Sequence, residues 1–224
     1  MSLDLTHIDT WIFDLDNTLY PTQCGLYKLM DARIRSYVAT HLGLSDGAAH
    51  YVQKGYFRDY GTTLSGLMAE HDTDPHHYLS YVHDFDLTRL DDAPPLGAMI
   101  KALPGRKIIF TNADASYAHK VLARLHLSDV FEEIVDIHDT AYRPKPEPEA
   151  YQTLRAKTGI DPTRSLFVED MARNLAPAKA MGMATVWINN DSDLGSHGHD
   201  PALIDHQSDT IHQWLSEIVP LVSA

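Results

Sequence analysis

The apolar positions of this 224-residue chain fall into two patterns, short unbroken runs and longer stretches with apolar residues three or four apart. The unbroken runs are Trp11-Ile12-Phe13, Lys107 to Phe110, Phe131 to Asp136, Ser165 to Val168 and Ala184 to Ile188. Rich in β-branched and aromatic residues, they predict five strands buried on both faces of a parallel sheet. Helical spacing begins at Leu26, Leu29, Met30, Ile34, Tyr37 and Val38, with Gly43 as a stop. It continues through Tyr51, Val52, Tyr56 and Phe57, then Leu64, Leu67 and Met68, then Tyr78, Leu79 and Val82, with breaks at Gly61 and Pro75. No strand is predicted there, so residues 20–92 form a helical insertion. Further helices are predicted over Leu96 to Leu103, from Asp114 or Ser116 to about His126, and after Pro148 on Tyr151 and Leu154. Two more follow: Asn174 to Met181 with Gly182 as its stop, and Thr210 to Val219 stopped by Pro220.

Strands alternating with helices predict an α/β fold, a parallel sheet with helices on both faces. Ligands bind such sheets outside the carboxyl ends of the strands. The residues that end the apolar runs are Asp14 and Asp16, Thr111 and Asn112, and Glu169 and Asp170, with Lys145 in the loop after the third strand. One edge therefore gathers three or four carboxylates able to hold a cation, hydrogen-bond donors and one ammonium. Asp14 and Asp16 are two apart, so an extended backbone points both carboxylates the same way. At ~4 Å and an effective dielectric of ~20 they repel by roughly 4 kcal/mol, which calls for a bound cation, a shared proton, or both. Asp and Asn are also common in caps and turns; the preceding Trp11-Ile12-Phe13 strand separates this pair from that reading. Around Lys145, the prolines Pro144, Pro146 and Pro148 fix the backbone and remove amide donors.

Charge and composition narrow the function. Acidic residues outnumber basic ones 31 to 18, which disfavours a nucleic-acid polymer or an anionic membrane surface as partner. A small anionic substrate then needs a local positive centre. No apolar run spans a bilayer, Met1-Ser2-Leu3-Asp4 lacks the character of a signal peptide, and the single cysteine, Cys24, excludes an intramolecular disulfide; a cytoplasmic location is expected. Two histidine groups, His71, His76, His77 and His83, then His197, His199, His206 and His212, show no convincing ligand set for a metal.

Asp14-Leu15-Asp16-Asn17-Thr18, Thr111-Asn112, Lys145 and Glu169-Asp170, taken in this order, resemble the four motifs of the haloacid dehalogenase superfamily of phosphohydrolases. The resemblance spans nearly the whole chain. It implies a Rossmann-like core of residues 1–19 and 93–224, with the insertion at 20–92 as a C1-type helical cap. The segments from Phe13 to Pro21, Arg143 to Pro148 and Phe167 to Leu175 look most like the pyrimidine 5′-nucleotidase branch. The implied partner is a small phosphorylated metabolite, a nucleoside monophosphate such as UMP or CMP.

The resemblance also implies roles. Asp14 attacks phosphorus and forms an aspartyl-phosphate, and Asp16 serves as general acid and then base. Asp14, the main-chain carbonyl of Asp16 and Asp170 hold Mg²⁺, with Glu169 reaching it directly or through water. Lys145, Thr111 and Asn112 bind the phosphate. Alternatives within the superfamily are a general sugar-phosphate or cofactor phosphatase, or a phosphomutase; a dehalogenase needs neither the second acid nor Mg²⁺. From other classes come a receiver-like signalling domain, which is about half this length and lacks the insertion, and a non-catalytic nucleotide-binding scaffold, against which the intact Asp14 and Asp16 count. Thr111 and Asn174 could instead cap the helices that follow them, and Tyr20, Tyr56 and Arg58 are insertion residues that could set specificity.

Overall fold

The computed structural model describes residues 5–90, 94–192 and 194–222. Met1-Ser2-Leu3-Asp4 and the expected domain boundary between residues 92 and 93 lie outside them. Six strands, β1 (Thr10–Phe13), β2 (Arg106–Phe110), β3 (Glu133–Val135), β4 (Ser165–Glu169), β5 (Ala184–Ile188) and β6 (His206–Ser208), form one sheet in the order β3-β2-β1-β4-β5-β6. Every pairing is parallel. The chain builds outward from β1 through β2 to β3, then crosses to the other side of β1 for β4. A crevice is expected at that reversal.

Register explains what meets there. Phe13 pairs with Ile109 on one side and with Val168 on the other, so the residues just beyond these positions lie side by side at the carboxyl edge. Alternation along β1 sends Trp11 and Phe13 to one face and Ile12 to the other. The first face packs on α5 (Pro94–Ala102), α6 (Ala115–Arg124) and α9 (Ile211–Val222), where the Trp214 ring meets both Trp11 and Phe13. On the second face, Ile108, Phe110 and Phe167 pack on Tyr151 and Leu154 of α7 (Pro148–Thr158) and on Leu175 of α8 (Leu175–Ala180).

The insertion between β1 and β2 is helical, as its periodicity predicts. It comprises α1 (Leu26–Leu42), α2 (Asp46–Tyr60), α3 (Thr63–His71) and α4 (Pro75–Val82). Gly43 ends α1 in the left-handed conformation, and the side chains of Ser45, Thr62 and Asp74 cap the three helices that follow. These helices have their own core of Tyr37, Val38, Leu64, Leu67, Tyr78, Leu79 and Val82, joined by Ile137 from the loop after β3. Among the described residues no helix is long and apolar enough to cross a membrane.

Four elements differ from the sequence reading in ways that matter here. The third strand is shorter than the Phe131 to Asp136 run, and β4 reaches Glu169, one residue past Val168. The sixth strand carries no apolar signal: His206-Gln207-Ser208 is an edge strand, anchored by the Asp205 carboxylate on the Thr185 amide. Pro220 does not stop α9, because in the last turn it removes a single amide donor.

At Gly105, φ is +74° and an added Cβ would lie 2.1 Å from the carbonyl oxygen of Asp9, the acceptor for the Arg106 amide where β1 and β2 begin to pair. Gly105→Ala is expected to destabilise the fold by at least about 2 kcal/mol, from backbone strain together with the clash. Urea denaturation measures this; an unchanged midpoint would contradict the close crossing.

Candidate active site

All seven residues singled out in the sequence line one cavity of about 370 Å³ between the carboxyl edge of the sheet and the helical insertion. Asp14 and Asp16 both face it, whereas the intervening Leu15 is fully buried in the core beneath. Asn17, the next residue, takes φ of 62°, a left-handed conformation that Asn tolerates better than most side chains.

Lys145 organises the edge. Its side chain is 1% exposed, and Nζ donates to Asp14 Oδ1 at 2.7 Å, Glu169 Oε2 at 2.8 Å and the Phe110 carbonyl at 2.8 Å. The rings of Phe110 and Phe167 stand 5.1 and 5.2 Å from the ammonium. Burial works to strip its proton, but the charges of Asp14 and Glu169 prevail and hold its pKa above the usual lysine value. Its backbone is fixed by Asn112, whose side chain accepts from the Lys145 amide at 2.8 Å and donates to the Lys145 carbonyl at 3.2 Å. The side-chain amide of Asn112 is thereby committed to placing Lys145. Thr111 Oγ1 accepts from the Ala113 amide at 3.0 Å, which directs its own hydrogen elsewhere.

Each carboxylate has a distinct set of partners. Asp14 Oδ2 accepts from Thr18 Oγ1 at 3.1 Å, while its backbone amide continues the ladder to Val168. Asp16 Oδ1 accepts from the phenols of Tyr117, at 2.9 Å, and Tyr20. Burial raises the pKa of Asp16 against the donation of these phenols, which favours its protonated form. Asp170 accepts from Asn190 Nδ2 at 3.1 Å and, at its carbonyl, from Trp187 Nε1 at 2.8 Å.

Asp14, Glu169 and Asp170 offer carboxylate oxygens that lie within 4.8 Å of one another, all buried. Lys145 is the ammonium among them, so three potential negative charges share one fixed positive charge. Burial and the neighbouring Glu169 push Asp14 up to about 7 and drive Asp170 well above the carboxylate range. An all-oxygen donor set short of positive charge fits a hard divalent cation.

Several contributors carry no sequence signal. Tyr117 lies in the first turn of α6, and only the fold brings it to Asp16. His83, just past α4, pairs with Asp114 at 2.5 Å and stacks on Tyr117, connecting the insertion to the sheet edge. Arg173 stacks over Phe57 of α2 and reaches the Gly61 carbonyl at 3.4 Å. Tyr20 belongs to the Asp16 network, while Tyr56 pairs with His71 and Arg58 with Asp59; neither Tyr56 nor Arg58 lines the cavity.

Residues 8–182 match the family model of haloacid dehalogenase-like hydrolases, and the chain belongs to that family. Phosphate metabolism protein 8 of Saccharomyces cerevisiae is 25% identical to it over 95% of this chain and 71% of its own length. β-Phosphoglucomutase of Bacillus subtilis is 31% identical over 46% of this chain and 45% of that protein. Among solved structures, CbbY from Rhodobacter sphaeroides in complex with phosphate superposes with a TM-score of 0.64 and 17% identity, covering 94% of this chain and 96% of that one. A haloacid dehalogenase-type phosphatase from Thermococcus onnurineus gives 0.61 and 20%, over 94% and 98%. These two structures establish likeness of fold.

The carboxyl shifts set a pH dependence. Between about pH 5 and 7 the unfolded chain has released the Asp14 proton while the folded, metal-free protein still holds it, so stability falls as pH rises. Below about pH 4 the sign reverses. Burial would raise Asp114, but its bond to His83 and that group's charge hold it down to about 2, and stability is lost as pH falls through that value. Melting temperatures in chelator should therefore decline from pH 5 to 7, and a divalent cation should restore them most at the upper end. A metal-free melting temperature that climbs from pH 5 to 7 would contradict the raised Asp14.

Proposed function

We propose that the chain is a Mg²⁺-dependent phosphatase that hydrolyses small phosphate monoesters through an aspartyl-phosphate on Asp14. The observation that carries this reading is the buried Lys145 ammonium bonded to both Asp14 and Glu169, beside Thr111 and at the cavity's sheet end. A permanent cation there favours a phosphate oxyanion and keeps the attacking carboxylate oriented.

In the first half-reaction the Asp14 carboxylate attacks phosphorus, the ester P–O bond breaks, and Asp16 gives its proton to the leaving oxygen. Burial suits Asp16 to that task, and the two phenols hold its rotamer. In the second, Asp16 takes a proton from water as the water attacks phosphorus, and the Asp14 carboxylate departs. In this reading the Thr111 hydroxyl serves an equatorial phosphate oxygen, and Lys145, whose three hydrogens are held by Asp14, Glu169 and the Phe110 carbonyl, turns one of them to the phosphate when substrate binds, with Asn112 holding its backbone in place. Asp14, the Asp16 carbonyl and Asp170 would hold Mg²⁺, with Glu169 directly or through water. The ion supplies positive charge that lets a phosphate dianion approach these acids.

Residues 1–19 and 93–224 act as the catalytic core in this reading, and residues 20–92 as a cap that closes over the substrate and excludes water. The separate apolar core of α1 to α4 supports that division. The substrate class is a pyrimidine nucleoside 5′-monophosphate, supported by the likeness of the three motif segments to the nucleotidase branch, and the single cysteine suits a reducing cytoplasm. The partial match to β-phosphoglucomutase favours one other reading, transfer of phosphate to a sugar hydroxyl.

Phosphate release across UMP, CMP, AMP and a hexose phosphate, with Mg²⁺ and after chelation, tests the proposal. UMP and CMP are expected to be the better substrates, chelation to abolish release, and Asp14→Asn to lower kcat by at least about 10³-fold in a folded protein. Equal kcat/KM on UMP, AMP and the hexose phosphate would remove the pyrimidine assignment. Activity retained by Asp14→Asn would remove the nucleophile, and phosphate appearing on a second sugar hydroxyl would favour the mutase.

A further inference from the structure

Of the histidines singled out in the sequence, only His83 lines the active-site cavity. It follows α4 at the end of the insertion and is buried, with Nδ1 2.5 Å from Asp114 Oδ2. Asp114 is the N-cap of α6, and its other oxygen, Oδ1, accepts from the Tyr117 amide at 2.9 Å. One carboxylate therefore holds both the backbone of Tyr117 and the imidazole that lies on its ring. The two rings are nearly parallel, 16° apart with centroids at 4.3 Å, and Phe85 stands against the same phenol at 5.8 Å. A ring packed against two others and anchored at its own amide has little freedom to swing its hydroxyl away. That hydroxyl donates to Asp16 Oδ1 at 2.9 Å, and the Tyr20 phenol donates to the same oxygen. With Oδ1 accepting two phenolic hydrogens, the proton of the Asp16 carboxyl belongs on Oδ2.

We propose that His83 is a positioning residue for proton transfer to the leaving group: bonded to Asp114 and stacked on Tyr117, it fixes the Tyr117 hydroxyl on Asp16 Oδ1 and so keeps the acidic proton of Asp16 on Oδ2. Fastening the insertion to the sheet edge would need only the bond to Asp114. The stack on Tyr117 is what extends that bond to the acid. As the ester P–O bond breaks, its electron pair stays on the leaving oxygen, which takes the Oδ2 proton. Without the imidazole the Tyr117 ring is released on one face, and the phenol no longer selects which oxygen of Asp16 carries that proton. The contribution of His83 then scales with how much the leaving oxygen needs a proton. A nitrophenolate departs without one, whereas an alkoxide does not. This inference rests on the phosphatase reading with Asp16 as the acid, and adds the insertion residue that sets the acid's geometry.

Hydrolysis of p-nitrophenyl phosphate and 4-nitrobenzyl phosphate by the full-length protein with Mg²⁺ tests it, because these esters are similar in size and differ in the leaving oxygen. The quantity compared is kcat/KM, which reports the half-reaction in which that oxygen departs. His83→Ala is expected to lower kcat/KM on the benzyl ester by about 10-fold or more, and on the phenyl ester by no more than about 2-fold. Since His83 acts through the phenol, removing it from Tyr117→Phe is expected to cost no more than a further ~2-fold on the benzyl ester. Equal losses on the two esters, an unaffected benzyl ester, or losses that multiply in the double variant each overturn the proposal. Should His83→Ala fail to fold, as its melting curve would show, His83→Asn carries the same comparison, because it keeps a donor for Asp114 and removes the stacked ring. Phosphate released from neither ester by wild type would contradict the phosphatase reading, and equal losses on both esters in Asp16→Asn would contradict Asp16 as the acid. A loss confined to the benzyl ester in Asp16→Asn and missing in His83→Ala contradicts the role of His83 alone.

Discussion

The structure depends on one buried ammonium. Lys145 lies in the interior with carboxylates of Asp14 and Glu169 bonded to its Nζ, and neither charge could stay there without the other. Removing one member of a buried ion pair commonly costs about 3–5 kcal/mol, because the remaining charge is left unpaired. The sheet order makes the triad, since β1 lies between β2 and β4 and its final residues are flanked by the ends of both. The prolines before and after Lys145 and the side chain of Asn112 then hold the loop so that Nζ reaches across three strand ends. A single positive charge is still too little for the acids gathered there. The raised Asp14 and Asp170 express that deficit, and it makes the same edge receptive to a metal cation.

A division of labour follows from how the cavity is walled. The sheet edge presents charge and hydrogen-bond donors, while the insertion presents apolar side chains and the Asp31, Gln53 and Lys54 group. The two walls are joined by packing, with Ile137 in the insertion core, Leu26 and Met30 in the sheet core and His76 stacked on His138, and by contacts beside the site itself. His83 bonds to Asp114 and stacks on Tyr117, the residue that donates to Asp16, and Arg173 stacks on Phe57. Movement of the insertion would therefore be felt at Asp16 through Tyr117, and at the loop carrying Asp170 through Arg173.

Much of this was legible in the chain itself. The runs at Trp11 to Phe13 and Lys107 to Phe110 announce buried parallel strands, and the carboxyl-edge rule then assembles Asp14, Thr111, Lys145 and Glu169 without coordinates. What escaped was decided by tertiary contact. The edge strand at His206 to Ser208 is polar because it needs no second buried face, so hydrophobic pattern could not find it. Tyr117 reads as one more apolar position of α6 until the fold places its hydroxyl on Asp16. Gln53 reads as a polar residue on an amphipathic helix, and only the fold shows it buried against Asp31 of α1. The carboxyl-edge side chains come with strand ends, which pattern predicts; those that line the cavity from the insertion depend on how four helices pack.

The assignment of Asp14 as the group that carries the phosphoryl intermediate can be tested directly. A rapid quench during turnover of a phosphate monoester, followed by borohydride reduction, converts an acyl phosphate to an alcohol that peptide mass spectrometry can locate. The expected result is homoserine at position 14, formed only when substrate is present and absent after chelation. Phosphate released at full rate with every aspartate left intact, or reduction located at a residue other than Asp14, would contradict it.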